Sequence, residues 1–415
     1  MKTSYLLLLG ALTTSMPYVA GAKENEATTT ATPPAAVDRF AHAAVPEGNT
    51  LPKKVLRVRV VDKFIFGGDY YDADGKKEDI GLRTNVHVNA FVAEYGITDR
   101  LSFRMLVPTF VHNEASMDSQ QFASSKKYET TYNEALDKAV DKGYEDFKAI
   151  SPKATKADFR QYIQSHGSAL TGFPLPTGER LGSNRSIKGH LHDTVMRGST
   201  PTNGRLGLGD IEVGLLYNFY RTNSMLVSSG LGLRTPTGDF SDNSIRRTTG
   251  GGIYDGGLRL NFDYSPVFGL WLSAQSQHEY ALTSTTQKRA SLVNPYMLNE
   301  ATPSDGDNTQ KYEKRGFDSK ELLKANYGFG ALTPALKAFA MNTYYQHHTQ
   351  RSTYIDGTES KPFGVVQGVG GGGSVSGLGY GVPLAFDVDY FSPVAGKNTI
   401  ANNELTMTLY MYAKF

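Results

Sequence analysis

The stretch at residues 404–415, ELTMTLYMYAKF, decides the fold. Leu405, Met407, Leu409 and Met411 fall on one face of an extended chain, while glutamate, threonine, tyrosine and lysine occupy the other. Strict alternation over about ten residues is typical of a tilted transmembrane β-strand. The stretch therefore predicts a membrane strand with an apolar side toward lipid and a polar side toward a lumen.

The same period-two alternation recurs along most of the chain. Its clearest upstream examples are residues 83–95, 208–219 and 258–264. In the first of these, valines and Ala90 oppose Arg83 and His87, which predicts that the latter two face the lumen. Less regular alternation covers residues 54–66, 101–110, 225–236, 268–281, 322–332, 336–347 and 382–391.

The connections between these segments alternate between short and long. The short ones are residues 96–100, 221–224, 265–267 and 333–335, and the long ones are 67–81, 111–207, 237–250, 282–320, 349–363 and 392–403. Outer-membrane barrels have short periplasmic turns and long extracellular loops. We therefore predict an all-β fold, a closed antiparallel transmembrane β-barrel over residues 51–415 with about twelve strands. The glycine-rich residues 364–381 read as a bent strand or as a loop, so ten and fourteen strands remain open.

Composition excludes several other classes of protein. The chain has 415 residues, no cysteine, and 43 basic against 41 acidic side chains. It therefore has no disulfide framework and no thiolate metal site, and its near-neutral charge argues against a nucleic-acid partner. A soluble β-sandwich or lectin would also alternate, but it would not explain the export signal, the terminal aromatic strand and the loop lengths together.

The N-terminus has the three parts of an export signal. Lys2 precedes a short apolar run at residues 5–12, and an Ala-Gly-Ala cleavage site ends at Ala22. We predict a signal peptide at 1–22 and a flexible periplasmic or luminal arm at 23–50, which is rich in alanine, threonine and proline. The predicted location is the outer membrane of a Gram-negative bacterium. Phe415 would then be the signal recognised by the barrel-assembly machinery.

The longest connection, 112–205, is predicted to be an extracellular insert with short helices. Apolar residues between Tyr132 and Phe147 approximate one helical face, and a second helix is expected over 155–166. These helices would cap the barrel mouth or merely cover each other.

Several motifs resemble the outer-membrane transporters associated with the meta-pathway of phenol degradation. They are YGITDRL at 95–101 leading into Pro108, GLGDIEVGLLY at 207–217 and RTPTGD at 234–239, with a further PTG at 176–178. The resemblance covers roughly residues 55–280 and the terminal strand. It implies a barrel channel for small, often aromatic or hydrophobic, compounds.

The polar faces of the predicted strands supply the candidate pore-lining residues. Charged rings and ladders select solutes in pores, but the same charges could also pair across a narrow lumen and hold it shut. Tyrosines on the inner face would suit an aromatic solute or simply fill space. The candidates are Arg57, Arg59, Arg83, His87, Arg104, Asp210, Glu212, Arg234, Arg259, Asp263, Thr406, Thr408, Tyr410 and Tyr412. Further acids expected on these polar faces are Glu279, Asp387 and Asp389.

Signals for metal binding and catalysis are weak. Asp72, Asp74 and Glu78 resemble part of a calcium loop but lack its terminal glutamate, and the histidines near His192 lack a third placed ligand. Nucleophile-elbow and zinc-protease motifs are missing from the sequence. We therefore predict no catalytic or metal site and no cofactor.

Together these features predict a passive channel that takes small, hydrophobic or aromatic compounds into the periplasm. Its partners would be the lipid bilayer, the assembly machinery and a small-molecule solute. One alternative is a non-conducting surface barrel that uses its loops for adhesion or partner binding. A barrel hydrolase is the third reading.

Overall fold

The structure is a computed structural model of the chain. It describes residues 48–165, 187–199, 204–240, 249–287, 311–355, 358–361 and 363–415. The predicted signal peptide, residues 23–47 of the arm and the PTG at 176–178 lie outside these ranges.

Twelve long strands form one antiparallel sheet, in which each strand pairs with its neighbours in the chain. They are β1 (Val55–Tyr71), β2 (Lys77–Thr98), β3 (Leu101–Met117), β4 (Glu212–Arg221), β5 (Met225–Arg234), β6 (Asp255–Tyr264), β7 (Leu270–Ala281), β8 (Asp318–Gly328), β9 (Phe339–Gln350), β10 (Gly364–Ser376), β11 (Leu384–Lys397) and β12 (Thr399–Lys414). The short strands are Gly207–Leu208, which pairs with β3, and Thr285–Gln287, Lys311–Arg315, Thr353–Ile355 and Thr358–Lys361, which form a separate small sheet.

The sheet closes on itself through β1 and β12. Their register runs from Val55 opposite Lys414 to Tyr71 opposite Thr399, with one bulge after Gly67. The Phe415 N–H also donates to the Lys54 carbonyl oxygen at 3.0 Å, so the two ends of the barrel chain meet. Closure pairs the edge strands, which a sheet in lipid needs because bare N–H and C=O groups have no partner there. The predicted twelve-stranded closed barrel is confirmed.

The glycine-rich segment is a strand rather than a loop. β10 pairs with both β9 and β11, and its inward glycines lie under aromatic rings. A Cβ on Gly370 would lie 2.1 Å from Tyr344 Cζ, and one on Gly368 would lie 2.3 Å from Phe391 Cζ. Glycine is therefore needed here so that the rings can lie against the wall, and the strand count is twelve.

The prediction of a long loop at 392–403 is wrong. β11 continues to Lys397 and β12 starts at Thr399, so a tight hairpin turns at Asn398. Asn398 has φ of +50°, a left-handed conformation that asparagine tolerates better than most residues. The sequence prediction stopped too early because polar and small residues in this strand extension interrupt the apolar alternation.

Most of the outer surface of the barrel is apolar. Large side chains that point away from the lumen are half exposed on successive strands, as expected for a lipid-facing belt. Examples are Phe91, Phe103, Leu215, Leu231, Leu260, Leu272, Leu323, Met341, Phe386 and Leu409.

Helices follow β3 and form a small core of their own. They are α1 (Ser119–Ala123), α2 (Lys126–Ile150), α3 (Lys156–Ser165) and α4 (Ile187–Ser199). Leu136, Phe159 and Leu191 from α2, α3 and α4 are fully buried against one another. The cluster reaches Ile80 and Leu82 of β2. Because β2 has 22 residues and β4 has ten, its far end extends to contact the helices. The predicted helical insert is confirmed.

Among the helices that the structure describes, none combines the length and apolar character needed to cross a membrane.

Candidate functional site: the barrel lumen

Inward side chains follow rows that cross the strands. One row joins Tyr412, Arg57, Glu94 and Arg104 on β12, β1, β2 and β3. It continues through Gly214, Gly232, Gly257 and Glu279 on β4 to β7. Tyr412 lies near the periplasmic end of β12, and Glu279 lies near the opposite end of β7. Because the strands are tilted, the position of the paired residue along the barrel axis shifts from each strand to the next. The row therefore traverses the lumen from one end toward the other.

A basic cluster occupies the periplasmic start of this row. The Arg57 Nε donates to Glu94 Oε2, and the Arg59 Nη2 donates to Glu94 Oε1 at 2.7 Å. The Arg104 Nε lies 3.9 Å from the same Oε1. The Tyr410 ring centroid lies 5.9 Å from both the Arg57 and the Arg59 guanidinium carbon. One carboxylate is thus shared by three guanidinium groups.

An acid-rich cluster occupies the other end. Arg234 contacts Glu212 at 2.8 Å, Asp255 at 3.4 Å and Glu279 at 2.9 Å. Arg351 contacts Asp255 at 2.7 Å and Glu279 at 3.2 Å. Three carboxylates therefore surround two guanidinium groups, so the two clusters carry opposite charge excesses.

Between the clusters, four glycines leave the wall without side chains. Gly214, Gly230, Gly232 and Gly257 point inward on β4, β5 and β6, and we call them the glycine bay. A Cβ on Gly232 would meet nothing closer than the Val213 carbonyl oxygen at 3.6 Å, so the space above it is open. The bay borders a cavity of about 300 Å³ that both charged clusters also line.

The described end of the N-terminal arm lies in the lumen beside this cavity. The Gly48 N–H donates to Asp263 Oδ2 at 3.0 Å, and the Leu51 N–H donates to Ser102 Oγ at 2.8 Å. Thr50 is fully buried and its hydroxyl donates to the Asp99 carbonyl oxygen at 3.0 Å. Asn49 and Leu51 line the cavity. The arm is therefore bound to the wall, not free at this point.

Most of the sequence-predicted candidates share this inner face. Arg57, Arg59, Arg104, Glu212, Arg234, Arg259, Tyr410 and Tyr412 line the cavity. Thr406 and Thr408 lie on the same face of β12 as the two tyrosines, opposite Lys63 and Val61 of β1. Asp263 also points inward but is fully buried, where it binds the arm and accepts from Ser273 Oγ at 2.5 Å.

Asp210 has a different position from the one expected. It precedes β4 and accepts the N–H groups of Gly238 at 2.9 Å and of Gly251 at 2.6 Å. Its side chain holds two loop segments together instead of standing in a strand ladder. The predicted strand began at residue 208, whereas β4 begins at Glu212. Asp210 therefore lies before the strand.

The prediction for Arg83 and His87 is wrong. The register pairs Phe64 with His87, and Phe64 points opposite to Arg57 and Arg59. His87 stacks on Phe64 at a centroid distance of 4.2 Å and contacts Asp62 Oδ1 at 2.9 Å. The Arg83 side chain is 58% exposed and pairs with Asp79. The prediction assumed that the valine face of β2 meets lipid, whereas that face packs in the lumen beside Glu94.

Three residues of the charged clusters were missed as candidates by the sequence analysis. Glu94 was hidden because its neighbours on the same face are valine and alanine. Asp255 and Arg351 stand at or just beyond strand ends, where alternation gives no direction. The available signal for Glu94 was a lone glutamate immediately before the motif YGITDR at 95–100.

The helical insert contains His192, which the sequence analysis considered as a metal ligand. The Tyr128 hydroxyl lies 2.6 Å from His192 Nδ1, and burial raises the pKa of Tyr128 to about 12. The pair joins α2 to α4, so it has a packing role. Within the described ranges, no group of three or more histidine or acidic side chains is arranged to hold a metal ion. The side chain of His190 lies outside the description.

Comparison with solved structures identifies the architecture. The COG4313 outer membrane channel from Pseudomonas putida F1 matches with a TM-score of 0.55 and 11% identity, over 89% of this chain and 99% of that one. The chain has the fold of an outer-membrane channel. A Pseudomonas aeruginosa FadL homologue gives a TM-score of 0.35 at 9% identity over 88% and 90%, and the Pseudomonas putida toluene transporter TodX gives 0.32 at 9% over 92% and 93%. No protein-family model and no curated protein matches the chain.

The barrel and its apolar belt fix where the protein resides. A closed antiparallel barrel with lipid-facing apolar side chains is the architecture of outer-membrane proteins in Gram-negative bacteria. The chain is accordingly an outer-membrane barrel in contact with the lipid bilayer. The resemblance to the phenol meta-pathway transporters stays a prediction, and so does the role of Phe415, whose side chain is 71% exposed.

Proposed function

We propose that the protein is a passive channel that admits small, hydrophobic or aromatic compounds through the outer membrane to the periplasm. The observation that carries the proposal is the cavity along the glycine bay, since a small barrel usually fills its lumen with side chains. Here the cavity reaches both charged clusters, and its volume of about 300 Å³ suits a small molecule. The resemblance of the sequence motifs to the phenol meta-pathway transporters supports the same class of solute.

In this proposal the solute moves along the glycine bay and the tyrosines of β12. Glycine backbone and the Tyr410 and Tyr412 rings offer apolar contact, while the paired arginines and carboxylates hold the wall open. Salt bridges fixed in the wall need not rearrange as a solute passes. Transport is diffusion down a concentration gradient, because the sequence contains no nucleotide-binding motif and the outer membrane has no ATP supply.

The N-terminal arm is the proposed gate. Hydrogen bonds to Asp263 and Ser102 hold residues 48–51 beside the cavity, so the arm narrows the periplasmic end. Deletion of residues 23–50 is expected to raise single-channel conductance several-fold. A double variant, Asp263→Asn with Ser102→Ala, is expected to give frequent transitions to that higher level because it weakens both attachments. Single-channel recording of the purified protein in planar bilayers measures both effects.

Two outcomes would count against this function. If the full-length protein and the deletion variant both give no discrete conductance, the barrel is not a channel. If both conduct equally, the arm is not the gate. Folding of each variant is checked beforehand by its heat-modifiable electrophoretic mobility, so a missing signal is not confused with a missing barrel.

A surface-binding role is the second candidate, because the helical insert has its own core of Leu136, Phe159 and Leu191. A self-supporting extracellular module could bind a partner without any conduction. Removing residues 119–199 distinguishes the two roles: a channel retains conductance, whereas an adhesin loses its binding. Nothing in the described part of the insert favours the hydrolase reading beyond the packed pair of Tyr128 and His192.

A further inference from the structure

The charges of the lumen are unevenly distributed around Glu94. Arg57 and Arg59 both donate to this carboxylate, and Arg104 approaches it at 3.9 Å. Arg104 is also close enough to Arg59 and Arg259 to be repelled by their guanidinium groups. A shared carboxylate cannot neutralise three guanidinium groups, so this part of the lumen has an excess of positive charge.

Arg104 is the member of the cluster with the most unused bonding capacity. Among the described residues, Glu94 supplies the one carboxylate within 4 Å of it, although a guanidinium carries five N–H donors. Its side chain is 38% exposed, and it borders the cavity. The Arg59 Nε is buried and has no partner in the described part of the chain. The N–H donors of Arg104 are therefore the ones that a solute in the cavity can reach.

The neighbouring carboxylates are already engaged elsewhere. Glu212 is held by Arg234 at 2.8 Å, and Asp389 accepts from Asn342 Nδ2 at 2.9 Å. Asp387, which also lines the cavity, is hydrogen-bonded to the Tyr410 side chain. In the register row, the residue beyond Arg104 is Gly214, so no side chain covers the guanidinium on that side. An incoming anion would thus meet the Arg104 guanidinium directly at the edge of the glycine bay.

We propose that the lumen contains a binding site for small organic carboxylates with an apolar or aromatic body. The two carboxylate oxygens accept from the planar guanidinium fork of Arg104, a geometry that lysine cannot reproduce. The body lies over the glycine bay, where Gly232 and Gly257 leave space and Leu216 supplies apolar contact. This proposal rests on the proposed channel function, and it adds that the channel prefers negatively charged solutes.

Reversal potentials under a gradient of sodium benzoate test this site in the full-length protein. The wild type is expected to pass benzoate in preference to sodium, with a current that saturates as benzoate rises. Arg104→Gln is expected to reduce the benzoate preference about tenfold, the effect of losing one charged hydrogen bond. Arg83→Gln removes the same charge from the outer surface and is the matched control, which should behave as wild type.

A second variant separates binding geometry from folding. Arg104→Lys keeps the charge but loses the fork, so it is expected to keep anion preference and to require several-fold more benzoate for half-saturation. It also replaces Arg104→Gln as the test if the latter fails to insert. Benzylammonium, with the same ring and the opposite charge, should carry no saturating current.

Failure of this site is distinguishable from failure of the channel. If the protein conducts but Arg104→Gln and Arg104→Lys leave benzoate selectivity and saturation unchanged, the carboxylate site is wrong and the channel stands. If wild-type current is equally selective for benzylammonium, the site is also wrong. If no variant conducts, including the one without residues 23–50, the proposed function itself is overturned.

Discussion

Glu94→Gln is expected to destabilise the folded barrel by about 3–5 kcal/mol, the range found when one partner of a buried ion pair is removed. The substitution leaves three guanidinium groups near one another with no carboxylate to bind them. Repulsion among Arg57, Arg59 and Arg104 would then act across the first three strands. The midpoint of urea unfolding in detergent, followed by tryptophan fluorescence and heat-modifiable mobility, measures the change.

A matched variant controls for the loss of one negative charge. Glu114→Gln makes the same chemical change on the outer side of β3, where the side chain is 57% exposed, and should shift the midpoint little. Adding Arg104→Gln to Glu94→Gln should restore part of the lost stability, because it removes one of the unpaired charges. Equal midpoints for Glu94→Gln and wild type would show that the cluster is not a stabilising unit.

Filling the glycine bay should produce the largest functional effect. The double variant Gly232→Leu and Gly257→Leu places two apolar side chains where the wall now has none. A Cβ at these positions meets nothing closer than 3.6 Å and 3.9 Å, so the barrel can accept the start of each side chain without a clash. We expect conductance to fall about tenfold or more, since a hydrophobic constriction excludes water and ions. Single-channel recording compares the conductance of the double variant with that of the wild type.

Gly373→Leu is the control for this experiment. Gly373 points outward on β10, and a Cβ there would lie 3.7 Å from the Ala340 carbonyl oxygen, as open as in the bay but on the lipid side. Its conductance should match that of the wild type. Unchanged conductance in the double bay variant would place the conduction path elsewhere.

The sequence predicted the barrel well because its signals are local. Alternation in β12, β4 and β6 specifies strands and faces within ten residues, and the short turns specify which strands are neighbours. The ambiguity at 364–381 was also local, because glycine has no side chain to indicate which face of a strand is apolar. Only the position of the Tyr344 and Phe391 rings above Gly370 and Gly368 shows why a strand needs glycine there.

The site was less predictable because it depends on register between distant strands. The rule that apolar faces meet lipid gave the wrong direction for β2, where Val86 and Val92 are buried inside the lumen. Arg83 and His87 were misplaced for that reason, and Glu94 was missed. The glycine bay needs Gly214, Gly232 and Gly257 in one row, and no single strand contains that information.

Thiol labelling at two adjacent positions of β5 tests the central claim, a water-filled lumen along the glycine bay, most directly. The chain has no natural cysteine, so a single introduced thiol reports one position. In intact proteoliposomes, a membrane-impermeant maleimide should label Gly232→Cys rapidly. It should leave Leu231→Cys, whose natural side chain is 65% exposed on the lipid side, unlabelled until the protein is denatured. Labelling of Leu231→Cys together with protection of Gly232→Cys would contradict the face assignment, and protection of both would contradict an open lumen.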